Sequence, residues 1–199
     1  MKLITVDGLK AFAEIRDNKS DDLLEIIVTT MSARFQTYLN RNLELGTYTD
    51  YFEAGRGRRK YYLSAYPVML DSDLDNFILT DNGSVLTIND DFYLREDEGL
   101  LEFYLAPIFI VPKQIKVVYT GGYRVIDDSG INDGAINVPG DVKLATYLQC
   151  SYMFKRRNDL GLTSVAVSGG FSVSGSKALA LLPDVKAMLR NHRRVPGGY

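Results

Sequence analysis

The sequence predicts an α+β protein: helices at both ends and a β-rich middle built from antiparallel hairpins. Three observations carry this. Apolar residues between Ser20 and Leu39 recur at helical spacing. Residues 47–120 instead offer short β-branched and aromatic runs separated by turn residues. Lys116-Val117-Val118-Tyr119-Thr120 then stops at Gly121-Gly122, and Pro139 opens a new helix soon afterwards.

In chain order, Thr5 can cap a short helix carrying Leu9, Phe12, Ala13 and Ile15. Ser20 caps a longer one, with Asp21 and Asp22 at the positive end of its dipole and Leu24, Ile27, Val28, Met31, Phe35, Tyr38 and Leu39 along it. Asn40-Arg41-Asn42 ends it. Tyr48, Tyr51, Phe52, Tyr61, Tyr62 and Leu63 favour strands, and Gly55-Arg56-Gly57-Arg58 between them reads as a hairpin tip. Further strands are expected at 77–80, 84–88, 92–95, 101–105 and 114–119, with Asn82-Gly83 as a tight turn. Residues 124–137 read as a long polar loop. The helix from Pro139 to about Arg157 is apolar on more than one face, so it needs cover on several sides, for which a second copy of the chain is one source. Residues 160–176, rich in Gly, Ser and Val, allow a short strand pair or a mobile loop. Pro183 starts a last helix with Val185, Met188, Leu189 and His192 on one stripe, and Val195 to Tyr199 form a tail.

The 199 residues are 46% hydrophobic and 24% charged, which is ordinary for a soluble globular chain with room for one domain or one domain plus an insertion. The net charge of −2 provides no global field toward nucleic acid or anionic membrane. Met1 to Asp7 meets an acid too early for a signal peptide, and the longest apolar run, Leu105 to Val111, is far short of the ~20 residues of a spanning helix. The lone Cys150 excludes an internal disulfide and reads as a buried small residue. Charge is uneven. Between Asp71 and Glu102 ten acids face the single base Arg95, a net −9. Arg56, Arg58, Arg59 and Lys60 form one basic cluster, and Lys186, Arg190, Arg193 and Arg194 another. An acidic middle with basic flanks suits head-to-tail contact between copies; solvated surfaces are the plain alternative.

Catalytic motifs fail one by one. His192 is the only histidine, which excludes two-histidine metal motifs, and on its apolar stripe it reads as packing or interface. Gly170-Phe171-Ser172-Val173-Ser174 lacks the closing glycine of a nucleophile elbow. Asp71-Ser72-Asp73-Leu74-Asp75-Asn76 opens like a calcium loop but has Asn76 where Gly belongs and Asn82 where Glu belongs, leaving a solvated turn or at most a weak cation site. Gly55-Arg56-Gly57-Arg58 lacks the Gly-Lys-Ser/Thr ending of a phosphate loop.

The order of several short segments resembles the head–tail connector proteins of tailed bacteriophages, also called adaptor or head-completion proteins. These segments are Leu3-Ile4-Thr5 with Leu9-Lys10-Ala11-Phe12, Asp21-Asp22-Leu23-Leu24 leading to Tyr38-Leu39, Tyr66-Pro67-Val68, Val117 to Tyr123, Val138 to Ala145, and Leu182-Pro183-Asp184-Val185 with Leu189 and Arg193-Arg194. The middle region, with its acidic hairpins, is larger than in the simplest members. The resemblance implies a helical bundle (1–46 and 138–199) with an inserted antiparallel β-rich domain (47–123) and a linking loop (124–137). It further implies a ring homo-oligomer, commonly a dodecamer, docked beneath the portal in the virion neck after assembly in the host cytoplasm. The ring would surround the genomic DNA channel and receive a stopper or tail-completion protein. It implies neither enzyme activity nor cofactor, metal or membrane. The C-terminal segment from Pro183 would reach into the portal, so Arg190, His192, Arg193, Arg194 and Tyr199 are the expected portal contacts, while Arg56, Arg58 and Arg59 are expected to touch DNA or a partner. Two other readings compete. One is a nucleic-acid-binding module using the arginine-rich segment and the basic C-terminus. The other is a carbohydrate-active enzyme using two central carboxylates such as Asp90 and Glu98.

Overall fold

A computed structural model describes residues 2–55, 57–71, 76–124, 136–157, 164–167, 171–174 and 180–194. The protein is α+β, with four α-helices and antiparallel sheets among the described residues. Its contacts divide it into two compact units, one of Met1–Leu39 with Val138–Arg193, the other of Asn40–Asn137 with Arg194 counted beside it.

In the first unit, α1 (Val6–Ala13) is capped as expected: Thr5 Oγ1 accepts the Gly8 amide at 3.0 Å. It stops at Glu14, which takes the left-handed conformation at φ 58°. α2 (Asp21–Leu39) buries Leu24, Ile27, Val28, Met31, Phe35 and Leu39, the stripe its spacing predicts. α3 (Gly140–Lys155) begins where Pro139 accepts the Lys143 amide, and α4 (Pro183–Leu189) has Pro183 in its first turn. α3 packs against α1, α2 and α4 of its own chain. It buries Val142, Ala145, Thr146, Gln149, Cys150 and Ser151, while Leu144 on another face is 41% exposed and Tyr147, Leu148, Tyr152, Met153 and Phe154 are only half-buried. Close approach is written into α1: a Cβ on Gly8 would run into the Tyr147 hydroxyl of α3. Gln149 fixes the entry to α4, accepting the Leu182 amide at 3.0 Å while donating to the Ala180 carbonyl. Burial pushes the Cys150 thiol up to about 12, which marks it as core rather than reactive. The Gly/Ser/Val-rich segment contains a strand pair, β9 (Ser164–Val167) and β10 (Phe171–Ser174), in antiparallel register.

The second unit holds two sheets. One has the order β1-β8-β4-β5, from β1 (Gly46–Phe52), β8 (Ile115–Gly121), β4 (Phe77–Asp81) and β5 (Ser84–Leu86), with β3 (Val68–Met69) also paired to β8. The other has the order β2-β7-β6, from β2 (Lys60–Tyr62), β7 (Leu100–Phe103) and β6 (Phe92–Arg95). Asn82 and Gly83 both take positive φ between β4 and β5, the backbone a tight hairpin needs. The expected hairpin at Gly55–Arg58 is corrected: β1 pairs with β8 and β2 with β7, so this turn is a corner between two sheets. β7 ends at Phe103, two residues earlier than expected, and Tyr104 and Leu105 leave the sheet.

β8 is the centre of this unit, with Ile115, Val117 and Tyr119 fully buried. The Tyr119 hydroxyl accepts the Ala65 amide at 2.9 Å and donates to Asp50 at 2.9 Å, and Asp50 in turn accepts the Ser64 amide and hydroxyl. Burial, against a favourable bond from Ser64, holds the Tyr119 phenol well above its usual range. The Gly-Gly stop has a steric cause. Gly122 sits at φ 103°, and a Cβ there would strike the Glu44 carbonyl oxygen. Arg41, 5% exposed, donates to the Tyr66 carbonyl at 2.8 Å and lies 3.6 Å from the centre of the Tyr66 ring.

Candidate partner-binding surfaces

The residues singled out at the C-terminus follow α4 and spread over different tasks. Arg190 opens a short 3-10 turn, Arg190–His192, and is exposed. His192 leaves the apolar stripe: its Nε2 meets Asp141 Oδ2 at 2.6 Å, in the first turn of α3, while Asp141 Oδ1 accepts the Val142 amide. The Arg193 guanidinium lies 5.4 Å from the centre of the Tyr38 ring. Arg194 donates to the Tyr62 carbonyl at 2.7 Å. Tyr199 and Arg56 lie outside the described residues.

The structure brings Arg194 to the strand that follows the arginine turn. Arg59 and Leu63 turn their backbones to β7, through Phe103 N to Arg59 O and Leu63 N to Gly99 O. By strand alternation, Lys60 and Tyr62 turn their carbonyls to the free edge of β2. Arg58 Nε caps the first at 3.0 Å and Arg194 caps the second. Edge carbonyls are thus covered by guanidinium groups, a protection against stray strand pairing. Arg58 also lies 4.8 Å from the centre of the Tyr61 ring, and Arg59 Nε donates to the Phe103 carbonyl at 2.7 Å. The sequence shows two separate basic clusters; the join at β2 is long-range and leaves no local signal.

A further surface was visible in the sequence only as an apolar run. From Tyr104 to Val111 the chain exposes Tyr104, Leu105, Ile108, Phe109, Ile110 and Val111, with Leu105 85% and Ile108 80% exposed. The loop is held firmly. The Gln114 side chain, itself buried, accepts the Ile110 amide at 2.7 Å, donates to the Ile108 carbonyl at 2.9 Å and reaches Asp81 at 2.6 Å. Pro107 is buried beneath it. The sequence carries no local signal for this exposure, since a short continuous apolar run reads equally as a buried strand.

Nothing in these surfaces has the arrangement of a reaction centre. Asp90 and Glu98 are exposed on turns at opposite ends of β6. Burial is the leading cause that raises the pKa of Tyr48, Tyr61, Tyr119 and Cys150, making each a weaker acid than usual. Among the described residues no three metal-ligating side chains cluster, and no helix is long and apolar enough to cross a membrane. At the start of the acidic segment, Asn76 is spent on the Met69 carbonyl and the Asp71 amide.

The fold is α+β, and its distinctive surfaces are an exposed apolar loop and guanidinium groups gathered at the edge of β2. The sequence matches the head completion protein family over residues 2–195, and the chain belongs to that family. Solved structures of similar fold include a chain from the neck of an empty gene transfer agent (GTA) particle computed with C6 symmetry. It has a TM-score of 0.58 at 15% identity, covering 98% of this chain and 93% of that one. A chain from the virion of a native gene transfer agent particle gives 0.57 at 16%, covering 98% and 93%. A chain from the neck of a native GTA particle computed with C12 symmetry gives 0.50 at 16%, covering 100% and 97%. No curated protein sequence matches.

Proposed function

We propose that this chain is a structural head–tail connector of a tailed-phage-like particle, a non-enzymatic subunit of a ring in the virion neck. Residues 1–46 and 138–199 form its helical bundle, 47–123 an inserted β domain, and 124–137 the link. The ring, dodecameric in this reading, binds the portal protein, surrounds the passing DNA and receives a stopper or tail-completion protein. Membership of the head completion family over residues 2–195 carries the reading. The fold likeness to neck chains of particles computed with C6 and C12 symmetry is consistent with a ring. Arg190, His192, Arg193, Arg194 and Tyr199 are the proposed portal contacts. The experiment is negative-stain microscopy of the purified chain alone and with its cognate portal protein. Rings, alone or on portal, are expected; a strict monomer that ignores portal overturns the reading.

A second reading draws support from the gathering of Arg58, Arg59 and Arg194 about β2. These cations suit phosphate contact with DNA, in a module or along a channel. Binding to duplex DNA that weakens steeply with salt is the expected sign. Salt-insensitive or undetectable binding leaves the connector reading alone.

A further inference from the structure

α4 is anchored by apolar burial, and the turn after it is not. Leu181, Val185 and Leu189 are buried, and Gln149 of α3 bonds the chain on both sides of Leu181, at the Ala180 carbonyl and the Leu182 amide. Beyond Leu189 the turn Arg190–His192 buries no residue. Polar contacts hold it instead. His192 Nε2 meets Asp141 Oδ2 at 2.6 Å, in the first turn of α3. The next residue, Arg193, sets its guanidinium 5.4 Å from the centre of the Tyr38 ring in α2. Contacts of these two kinds are weak at a protein surface, where water and other polar groups compete for the same atoms.

The charges around this turn do not balance. Arg190, His192, Arg193 and Arg194 crowd into a few residues, with Lys186 one turn earlier. Asp141 is the only acid of α3, and Asp184 the only acid of α4. Asp184 stands in the first turn of α4, at the far end of a helix about 10 Å long. α2 has no acid after Glu25. Asp141 is therefore the single carboxylate that these helices bring to the basic turn. The remaining positive charge is complementary to an acidic partner. The Asp141 side chain is 45% exposed, so a competing carboxylate can reach the imidazole that it holds.

We propose that Asp141 is a latch: it parks the basic C-terminal turn on α3 and yields it to carboxylates of the portal when the chain docks. This deepens the portal reading above and rests on it. His192 and Arg193, two of the proposed portal contacts, are both engaged with their own chain in the parked state. Docking exchanges these contacts for contacts with the partner. Only the fraction of chains with the turn released is ready to bind, and the apparent affinity is reduced by that fraction.

The test measures binding of the full chain to immobilised cognate portal protein. Asp141→Asn keeps an oxygen for the Val142 amide and removes the charge. It should bind portal about threefold to fivefold more tightly than wild type, and about tenfold or more when combined with Tyr38→Leu. Asp141→Ser, which also suits a helix start, should repeat the gain. A residue that only supports the fold would change binding in the opposite direction. His192 is the only histidine, so its ring resonances in NMR report the contact in the free chain. They should move in Asp141→Asn at fixed pH, with the circular dichroism spectrum unchanged. Unmoved resonances overturn the latch. So does a gain seen on duplex DNA and not on portal. Wild type that binds portal while the Asp141 variants bind no better overturns the latch and leaves the connector reading standing. If wild type and variants all ignore portal, the connector reading falls and the latch falls with it.

Discussion

The helical unit and the β unit treat apolar sequence in opposite ways. α3 is apolar on several faces, and α1, α2 and α4 of its own chain bury Val142, Ala145 and Cys150 while Leu144 stays 41% exposed. The run from Leu105 to Val111 is as apolar, and its own chain leaves it in solvent on a scaffold built around Gln114. Apolar composition alone therefore says little about where a partner binds. What matters is whether the fold has another element to lay across it.

Breaking the buried side of this contrast has the largest effect. Phe35→Ala in α2 removes a fully buried ring and should lower stability by about 3–5 kcal/mol in denaturant unfolding. If it costs under about 1 kcal/mol, the helical core is not packed as described. In the β unit, Tyr119→Phe keeps the ring but strands the Ala65 amide and Asp50, and should cost about 1–3 kcal/mol. It should also change the alkaline limb. The folded phenol is raised above its unfolded value of about 10, so its contribution is intact below that pH and is lost as pH rises toward the folded value. Stability measured from pH 9 upward should fall less steeply for Tyr119→Phe than for wild type.

Sharpening the exposed side calls for smaller effects. Gln114→Ala should cost about 1–2 kcal/mol and speed hydrogen exchange at the Ile110 and Val111 amides, with α3 amides unchanged. Equal exchange in both proteins would mean the loop is held by something else. Leu105→Asp should shift stability by no more than about 0.5 kcal/mol, in contrast to Phe35→Ala, because its side chain is already in water. A large loss there would place Leu105 in a core.

Much of the fold was legible. Thr5 and Pro183 start helices, Asn82-Gly83 closes a hairpin, and the Gly121-Gly122 stop is where Glu44 leaves no room for a side chain. The acidic turn Glu96–Glu98 could likewise be read from the sequence. The corner at Gly55 was misread as a hairpin tip, because strand partners far along the chain decide what a turn connects. Of the candidate site residues, Arg58, Arg59 and the basic end of the chain were visible, but His192 turned to Asp141 rather than into an apolar stripe.

The sequence by itself determined the α+β division and the places where helices and strands start and stop. Those signals are backbone preferences and side-chain periodicities within a few residues. Only the tertiary structure decided that Arg194 caps the edge of β2 beside Arg58, that Val142, Ala145 and Cys150 are the apolar residues of α3 its own chain buries, and that the Leu105–Val111 run faces solvent. Each depends on which distant segment lies across a surface, and burial is a property of both partners, which neither segment encodes alone.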